Sequence, residues 1–177
     1  RLNGSITEAN SFKKKILQRS NFHKPTLIHV GHCNKKRGLE VLVDIKKKYG
    51  SDVNIVFFSS MVNFDTKVAD FLRAFNIIVH TEKLNNVSLA YQIADIYIFT
   101  VDPKSHGSTD LPLTVLEALH MEIPVLTTKL KSLTELFSSN KNVFFFEKNN
   151  ISTLLKKILL RPDFNYSHKL EDKFYIE

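Results

Sequence analysis

The sequence predicts an α/β fold, in which a parallel sheet of about six strands is covered by helices on both faces. Short runs of β-branched and aromatic residues alternate with helical patterns along the chain. The stretch 94–128 is the clearest example, because it reads as a strand, a polar loop, a helix that begins with proline, and a second strand. Alternation at this spacing predicts βαβ units with right-handed crossovers.

The strands are predicted from short apolar runs of the kind that is covered on both faces of a sheet. In chain order these runs occupy 26–30, 54–59, 77–80, 96–101, 124–128 and 143–146. Because a helical pattern separates each run from the next, the strands are expected to lie parallel. The sequence therefore predicts a Rossmann-like, doubly wound sheet.

The helices are predicted from apolar periodicity and from start and stop signals. They occupy 8–19, 39–48, 66–75, 88–93, a segment that begins near Pro112, 132–137 and 151–160. Cap-forming residues at 108–110 precede Pro112, which suits a first helical turn. Pro162 stops the last helix, because proline cannot continue it.

Positive charge is concentrated in the first third of the chain. Residues 1–50 hold 12 Lys and Arg against 3 acids, a net of +9, while residues 51–177 hold 13 against 15, a net of −2. The runs Lys13–Lys15 and Lys46–Lys48 fall on helical patterns, so one interpretation is a pair of solvated helix faces. The alternative is a surface for an anionic membrane or another polyanion. Nucleic acid is not expected as a partner, because aromatic and basic residues do not interleave as they do in RNA-binding modules.

Neither a membrane span nor an internal disulfide is predicted. No apolar run approaches the roughly 20 residues that cross a bilayer, and Cys33 is the only cysteine. Cys, His and acidic residues show no metal-binding spacing, so no metal and no cofactor are expected. The predicted location is the cytoplasm, with peripheral attachment to a membrane as the open alternative. The chain begins at Arg1 without an initiator Met, which predicts a fragment of a longer protein.

The loop 32–37 has the composition of a phosphate-binding site. It follows a strand, opens a helix at Gly38 or Leu39, and ends in three consecutive basic residues. Free backbone N–H groups and positive side chains can therefore converge on one anion. The alternative is an ordinary basic turn that ends in glycine.

Three motifs in the same order carry a family resemblance: Asn3-Gly4, GHCNKKRG at 31–38 and TDLPLTVLEALHMEIPVLTT at 109–128. The chain resembles the C-terminal, donor-binding domain of the retaining nucleotide-sugar glycosyltransferases with two facing Rossmann domains (GT-B fold, glycosyltransferase group 1 or family 4). The resemblance covers almost the whole chain. It implies an interdomain linker and leading helix at 1–24, a nucleotide-sugar-binding domain at 25–164, and a tail at 165–177 that crosses back to a missing N-terminal domain.

The resemblance implies a donor site built from the second and third motifs. Arg37 matches the family's phosphate-binding Lys and His32 stands for its Arg, so the donor diphosphate is expected at His32, Lys36 and Arg37. Glu117 matches the glutamate that holds the ribose hydroxyls, a task that suits a carboxylate because it accepts two hydrogen bonds from a vicinal diol. The alternative for Glu117 is the polar stripe of a helix, because polar residues lie three positions away on either side.

The third motif departs from the family where the transferred sugar is expected. Thr109 stands in place of a glutamate that contacts the sugar, and Asp110 in place of a glycine. With Leu111, these residues are the candidates for sugar binding. A carboxylate at Asp110 would occupy the positive helix end that should receive the diphosphate, unless Arg37 and its neighbours compensate. It could instead reach a sugar hydroxyl.

The resemblance therefore implies the donor-binding half of a glycosyltransferase, which transfers a sugar from a nucleotide-diphosphate sugar to an acceptor with retention of configuration. The nucleotide sugar would be a substrate, and the group that activates the acceptor would lie on the missing domain. The alternative is a non-catalytic relative that serves as a binding or scaffolding partner, with Thr109 and Asp110 marking a lost sugar site. An unrelated α/β binding module is a third interpretation.

Overall fold

The computed structural model describes residues 6–17, 21–60, 62–103, 111–147 and 149–161. Within them lie six strands: β1 (Thr26–His32), β2 (Asn54–Ser60), β3 (Ile78–His80), β4 (Ile96–Phe99), β5 (Val125–Thr128) and β6 (Val143–Phe146). They alternate with seven helices: α1 (Ile6–Ile16), α2 (Glu40–Tyr49), α3 (Thr66–Ala74), α4 (Ser88–Gln92), α5 (Leu113–His120), α6 (Lys131–Phe137) and α7 (Ile151–Leu159). Two 3₁₀ turns, Lys35–Arg37 and Gly50–Asp52, flank α2. The predicted order of strands and helices is confirmed.

All six strands are parallel and lie in the order β3-β2-β1-β4-β5-β6. β1 and β2 pair along their full length, from Thr26 opposite Asn54 to His32 opposite Ser60. The strand order reverses between β1 and β4, and in an open α/β sheet such a switch point opens a crevice at the carboxyl ends of the strands. The fold is the doubly wound, Rossmann-like sheet that the sequence predicts.

Helices cover both faces of the sheet. α2, α3 and α7 pack on one face, against strand residues that include Phe57 and Ile98. α1, α4, α5 and α6 pack on the other face, against residues that include Phe58 and Tyr97. Because successive strand residues point to opposite faces and both faces are covered, most strand positions are apolar, and several of the polar ones lie at the ends of strands.

The first lysine run is less solvated than one interpretation of the sequence predicted. Lys13 is buried, and its ammonium donates a 3.1 Å hydrogen bond to the Phe22 carbonyl. A solvated helix face is therefore wrong for Lys13, because its aliphatic stem packs in the core while the ammonium reaches a backbone acceptor. Lys14 and Lys15, which follow it on α1, are exposed.

The helices are short. α1, the longest in the described part of the chain, spans 11 residues, and its predicted extension to residue 19 reaches residues outside that part. A helix that crosses a bilayer needs about 20 residues. No helix in the described ranges is long and apolar enough to span a membrane. The predicted tail at 165–177 also lies outside the described residues.

Candidate functional site

A cleft of about 610 Å³ opens at the carboxyl ends of β1, β2, β3 and β4, beside the switch point of the sheet. It is lined by the end of β1, by Arg37, by Ser59 and Ser60 of β2, and by the residues that begin α5. Pockets of several hundred Å³ with a few polar groups among apolar walls are typical of small-molecule sites. The fold therefore places its candidate site where doubly wound sheets bind ligands.

The turn after β1 is fixed at both of its ends. The Asn34 side chain accepts a 3.1 Å hydrogen bond from the Lys36 N–H and so caps the turn. Gly38 has a φ of +63°, and a Cβ at this position would collide with the Thr100 carbonyl just beyond β4. The Thr100 hydroxyl donates a 2.5 Å hydrogen bond to the Arg37 carbonyl. The backbone that carries Arg37 is therefore attached to β4 across the switch point.

Arg37 supplies the cleft with a permanent positive charge. The residue is half-buried, and among the described residues no carboxylate forms an ion pair with it. A guanidinium is permanently charged and presents five N–H donors in a rigid plane, which matches the oxygens of a phosphate group. The side chain is therefore suited to an anionic ligand in the cleft.

His32 is the last residue of β1 and also lines the cleft. Its Nδ1 lies 2.9 Å from the Val62 carbonyl oxygen, so Nδ1 carries a proton and donates it to that acceptor. In the neutral ring Nε2 is then an acceptor, and it donates to a phosphate only when the ring is doubly protonated. The contribution of His32 to anion binding therefore depends on its protonation.

His29 is a buried histidine at the base of the cleft. Its Nδ1–H donates a 2.8 Å hydrogen bond to the Ile98 carbonyl, and its ring stacks on Phe57 with centroids 5.3 Å apart. Burial lowers the pKa of His29 from 6.5 to about 4, against the hydrogen bond to Ile98, and the charge of Arg37 lowers it further. A Cβ on Gly31 would lie 3.2 Å from Nε2 of His29, so a larger residue at 31 would crowd this nitrogen. The ring is neutral near pH 7 and presents Nε2 as an acceptor.

The first turn of α5 borders the cleft through Pro112, Leu113 and Thr114. Pro112 occupies the N-cap, and no side chain of the described residues caps the helix there. Free N–H groups at the start of a helix, at the positive end of its dipole, are groups that bind anions. The Tyr97 hydroxyl donates a 2.7 Å hydrogen bond to the Thr114 hydroxyl oxygen, which attaches the turn to β4.

Glu117 lies one turn further along α5 and is half-buried, outside the lining of the cleft. Its carboxylate accepts a 2.7 Å hydrogen bond from the Tyr91 hydroxyl. Burial raises the pKa of Tyr91 above its usual range, and Tyr97 and Glu117 add to this effect, so the phenol stays a donor. A carboxylate offers about four acceptor positions. Glu117 is therefore held by one hydrogen bond and can accept others.

The remaining side of the cleft comes from the end of β3 and the loop that follows it. His80, Glu82 and Lys83 line this side. Glu82 pairs with Lys15 of α1 at 2.6 Å, so its charge is balanced by a residue that does not line the cleft. Burial lowers the pKa of His80, against the attraction of Glu82. This side therefore presents a neutral ring and one ammonium group.

Three of the predicted donor-site residues come together along the cleft: His32, Arg37 and Leu111. Lys36 belongs to the same turn as Arg37 but is exposed and lies outside the lining, as does Glu117. The turn after β1 and the start of α5 thus meet as the sequence predicts, because both follow strands that are neighbours in the sheet. The phosphate-binding and ribose-binding roles of these side chains stay predictions.

The sequence interpretation missed several side chains of this region. His29 interrupts an otherwise apolar strand, which is a signal for a buried polar group that has found a partner. His80 ends a parallel strand, and polar residues at that position lie beside the ligand crevice. The sequence does not indicate that Tyr91 contacts Glu117, because a tyrosine on the apolar side of a helix is ordinarily predicted to be a core residue. The sugar-binding candidates Thr109 and Asp110 lie outside the described residues.

Neither a metal cluster nor a thiolate is found in the described part of the chain. No group of three or more His, Cys, Asp or Glu side chains there could hold a metal ion. Cys33 is buried with its Sγ 3.6 Å from the Asp65 carbonyl oxygen. Burial raises the pKa of this thiol to about 11, and the charge of Asp65 adds to the effect.

Several solved structures share this fold at low sequence identity. HepE from Anabaena, in complex with UDP and glucose, gives a TM-score of 0.71 at 11% identity, over 95% of this chain and 46% of that chain. Starch synthase IV from Arabidopsis thaliana, bound to ADP and acarbose, gives 0.63 at 13% identity, over 97% and 37%. A UDP-forming trehalose-phosphate synthase from Burkholderia xenovorans gives 0.61 at 12% identity, over 87% and 41%. The chain thus spans less than half the length of each of these proteins.

The sequence itself places the chain in a family. No curated protein matches it significantly. Residues 12–161, however, match the family described as Glycosyl transferases group 1. The matched range includes all six strands, the turn that carries Arg37 and the whole of α5. Because the match covers most of its length, the chain belongs to the glycosyl transferases group 1 family.

Proposed function

We propose that the chain is the donor-binding half of a glycosyltransferase, which transfers a sugar from a nucleotide-diphosphate sugar to an acceptor with retention of configuration. Family membership supports sugar transfer. Structural neighbours that hold UDP or ADP support a nucleotide donor. The observation that carries the proposal is the cleft at the switch point, which Arg37 and the start of α5 line together; in the described part of the chain no carboxylate pairs with Arg37 and no side chain caps α5.

Two positive groups would receive the donor diphosphate. The Arg37 guanidinium would bind phosphate oxygens, and the first N–H groups of α5 would add the positive end of a helix dipole. When the bond between the anomeric carbon and the phosphate oxygen breaks, its electron pair stays on the diphosphate. Groups already directed at that charge lower the barrier, because they need no reorganisation. This is the contribution that the proposal assigns to the chain.

His32 and Lys36 would complete the phosphate contacts in different ways. With Nδ1 donating to the Val62 carbonyl, Nε2 of His32 can donate to a phosphate oxygen only from a doubly protonated ring. Lys36 is exposed one residue before Arg37, so its flexible ammonium would act as a point charge at the mouth of the cleft. We expect Arg37 to contribute most of the three, because it lines the cleft and is always charged.

The nucleoside and sugar contacts extend along α5. Glu117 would accept hydrogen bonds from the ribose diol while the Tyr91 hydroxyl holds its carboxylate in place. Leu111 lines the cleft just before the helix, and Thr109 and Asp110, which precede it in the sequence, remain the candidates for contact with the sugar. No cofactor is needed in this scheme. The group that activates the acceptor would belong to a further domain.

Calorimetry with the 177-residue chain tests donor binding. UDP, GDP, ADP and their common sugar conjugates are titrated at low and moderate salt. Replacing Arg37 with Ala should weaken binding by about tenfold or more, because a charge-assisted, two-pronged contact is lost. Lys35→Ala is the matched control, since it removes the same charge from the same turn at an exposed position outside the cleft. Lys36→Ala and Glu117→Ala then test those two roles separately.

The outcome also decides between the proposal and a non-catalytic relative. Saturable binding that Arg37→Ala abolishes and Lys35→Ala preserves would support a donor site and identify its base. A folded chain that binds none of the conjugates would favour the scaffolding alternative, for which the departures at Thr109 and Asp110 already argue. Retention is tested with a protein that includes the acceptor domain, by following the anomeric configuration of the product by NMR. An inverted product would refute that part of the proposal.

A further inference from the structure

A second cavity lies at the amino ends of the strands, whereas the cleft lies at their carboxyl ends. It has a volume of about 780 Å³ and is bordered by the residues that lead into β1, β2 and β3. Four basic residues line it, namely Lys24, Lys46, Lys47 and Arg73, and none of its lining residues in the described chain is acidic. We call it the basic cavity. These residues are distant in the sequence: Lys24 precedes β1, Lys46 and Lys47 lie in α2, and Arg73 lies in α3.

The basic cavity is separate from the donor cleft. β2 runs between them, with Asn54 at its amino end lining the basic cavity and Ser60 at its carboxyl end lining the cleft. A strand of seven residues is about 20 Å long. A diphosphate bound at Arg37 could therefore not reach the lysines of the basic cavity, and the two sites would bind their ligands independently.

Two of the cations are held in place by neutral acceptors. The Lys24 ammonium donates a 2.9 Å hydrogen bond to the Asn21 side-chain oxygen, and the Lys46 ammonium donates a 2.9 Å hydrogen bond to the Val53 carbonyl. Each ammonium has three N–H donors, so both can donate to a further acceptor. Neither lysine forms an ion pair within the described residues.

The other two cations differ in their surroundings. The Lys47 ammonium lies 4.9 Å from the centre of the Phe75 ring, a cation–π contact, and no carboxylate of the described residues forms an ion pair with it. Arg73 pairs with Asp70 at 2.9 Å, so its charge is largely balanced. Three ammonium groups therefore contribute net positive charge to the basic cavity, and Phe75 adds an apolar surface beside them.

The positive charges of Lys24 and Lys46 repel each other. Burial lowers the pKa of Lys46, and the charge of Lys24 lowers it further. An anion between the two ammonium groups would raise the pKa of Lys46 again, because each lysine would gain an opposite charge beside it. A phosphate group suits this position, since it carries about two negative charges at neutral pH and offers several acceptor oxygens, whereas a carboxylate carries one charge.

We propose that the basic cavity binds the phosphate of a phosphate monoester, with the phosphate between Lys24, Lys46 and Lys47 and the carbon skeleton against Phe75. Such a phosphate has two sources, a soluble metabolite or the head group of an anionic phospholipid. The proposal accounts for part of the basic surplus in the first third of the chain, which the donor cleft does not use.

The test compares one head group in its soluble and its membrane form. The ¹⁵N-labelled 177-residue chain is titrated with glycerol phosphate, and the amide shifts of Gly50 and Ser51, which line the basic cavity, are followed by NMR. The same chain is sedimented with phosphatidylcholine vesicles that contain or lack phosphatidic acid, which is glycerol phosphate that carries two acyl chains. Saturable shifts at Gly50 and Ser51 indicate a soluble ligand. Sedimentation that requires phosphatidic acid, without those shifts, indicates a lipid.

Charge-matched variants distinguish a site from general attraction. The double variant Lys24→Gln, Lys47→Gln should lose about tenfold in affinity, because two ammonium contacts are removed while Lys46 keeps its bond to Val53. Lys48→Gln combined with Lys67→Gln removes the same charge from exposed residues outside the basic cavity and should change affinity by less than about twofold. Circular dichroism verifies that both variants fold. Absence of binding in both arms, or equal losses in the two double variants, would overturn the proposal.

Discussion

The Tyr91 hydroxyl donates a 2.7 Å hydrogen bond to Glu117 Oε2, and this bond joins α4 to the middle of α5. Tyr91 is fully buried, so its hydroxyl has no access to water and depends on this acceptor and on the Thr114 carbonyl at 3.3 Å. The rigid Tyr91 ring in turn fixes the orientation of the Glu117 side chain through this bond. The residue proposed to bind ribose is therefore positioned by a side chain that would not touch the ligand.

Replacing Tyr91 with Phe should lower the free energy of unfolding by about 1.5 kcal/mol, because a buried hydrogen bond to a charged acceptor is lost. It should also weaken UDP binding by about threefold, because Glu117 loses its orientation, while pyrophosphate binding stays unchanged. Urea denaturation and calorimetry with the two ligands measure these effects. Equal losses for UDP and pyrophosphate would argue against a ribose contact at Glu117.

Tyr97→Phe is the matched control for this variant. Its hydroxyl is also buried, but it donates to the Thr114 hydroxyl at 2.7 Å and not to Glu117. We expect a comparable loss of stability, about 1 kcal/mol, without a selective loss of UDP over pyrophosphate.

Gly38 is required for a reason that Gly50 does not share. Both have a positive φ, +63° and +54°, but a Cβ at 38 would collide with the Thr100 carbonyl, whereas nothing lies within 4 Å at 50. Gly50→Ala should cost about 1 to 3 kcal/mol in backbone strain alone, because φ +54° with ψ −122° is a conformation that residues with a Cβ rarely adopt. Gly38→Ala should cost about 3 to 4 kcal/mol, because separation of the turn from β4, about 2 kcal/mol, adds to the cost of the left-handed backbone, about 1 to 2 kcal/mol.

The measurement is urea denaturation of the two glycine variants beside the unchanged chain. Anion binding adds a second readout, since displacement of the turn moves Arg37 away from the cleft and should weaken UDP binding only for Gly38→Ala. If Gly38→Ala cost no more than the left-handed backbone, about 1 to 2 kcal/mol, the contact between the turn and Thr100 would not be important for folding.

His29 should make the protein less stable in mild acid. Its pKa is lowered by burial from 6.5 to about 4 in the folded chain, so between these values the unfolded chain binds more protons. Stability therefore falls as the pH decreases through this window. Between pH 7 and pH 5, protonation of His29 in the unfolded chain should lower the free energy of unfolding by about 2 kcal/mol.

A His29→Phe variant isolates this effect, because the phenyl ring keeps the stacking on Phe57 but cannot be protonated. Urea denaturation at pH 7 and pH 5 should show a pH dependence smaller by about 2 kcal/mol in the variant. Some dependence will remain, since burial also lowers the pKa of His80. Identical pH dependence in the two proteins would mean that His29 is not buried as a neutral ring.

The sheet and its helices were predictable because their signals are local. Apolar runs that are covered on both faces identify strands, and Pro112 marks the start of α5 in the sequence as it does in the structure. The meeting of the turn that carries Arg37 with the start of α5 was expected from the family resemblance, which builds one donor site from both motifs.

The contacts that set the site's geometry were not predictable in this way. Tyr91 and Glu117 are 26 residues apart, and Arg37 and Thr100 are 63 apart, so no local pattern links either pair. The burial of Lys13 depends on the Phe22 carbonyl, which the chain brings to it only after α1 has packed. The basic cavity likewise combines Lys24 with Lys46 and Lys47, whereas the run Lys46–Lys48 alone suggested a solvated helix face.

Glu122 offers a way to stabilise the chain without touching the proposed sites. It follows the end of α5 with a φ of +58°, the left-handed conformation in which glycine is most common after a helix. A residue with a Cβ pays a steric cost there, so Glu122→Gly should raise the free energy of unfolding by about 0.5 to 1 kcal/mol, after the larger entropy loss of glycine is subtracted. Glu122→Gln removes the charge but keeps the Cβ and should change stability by less than about 0.5 kcal/mol. Thermal denaturation of the three proteins measures the difference, and a stabilised Gln variant would assign the effect to charge instead of backbone conformation.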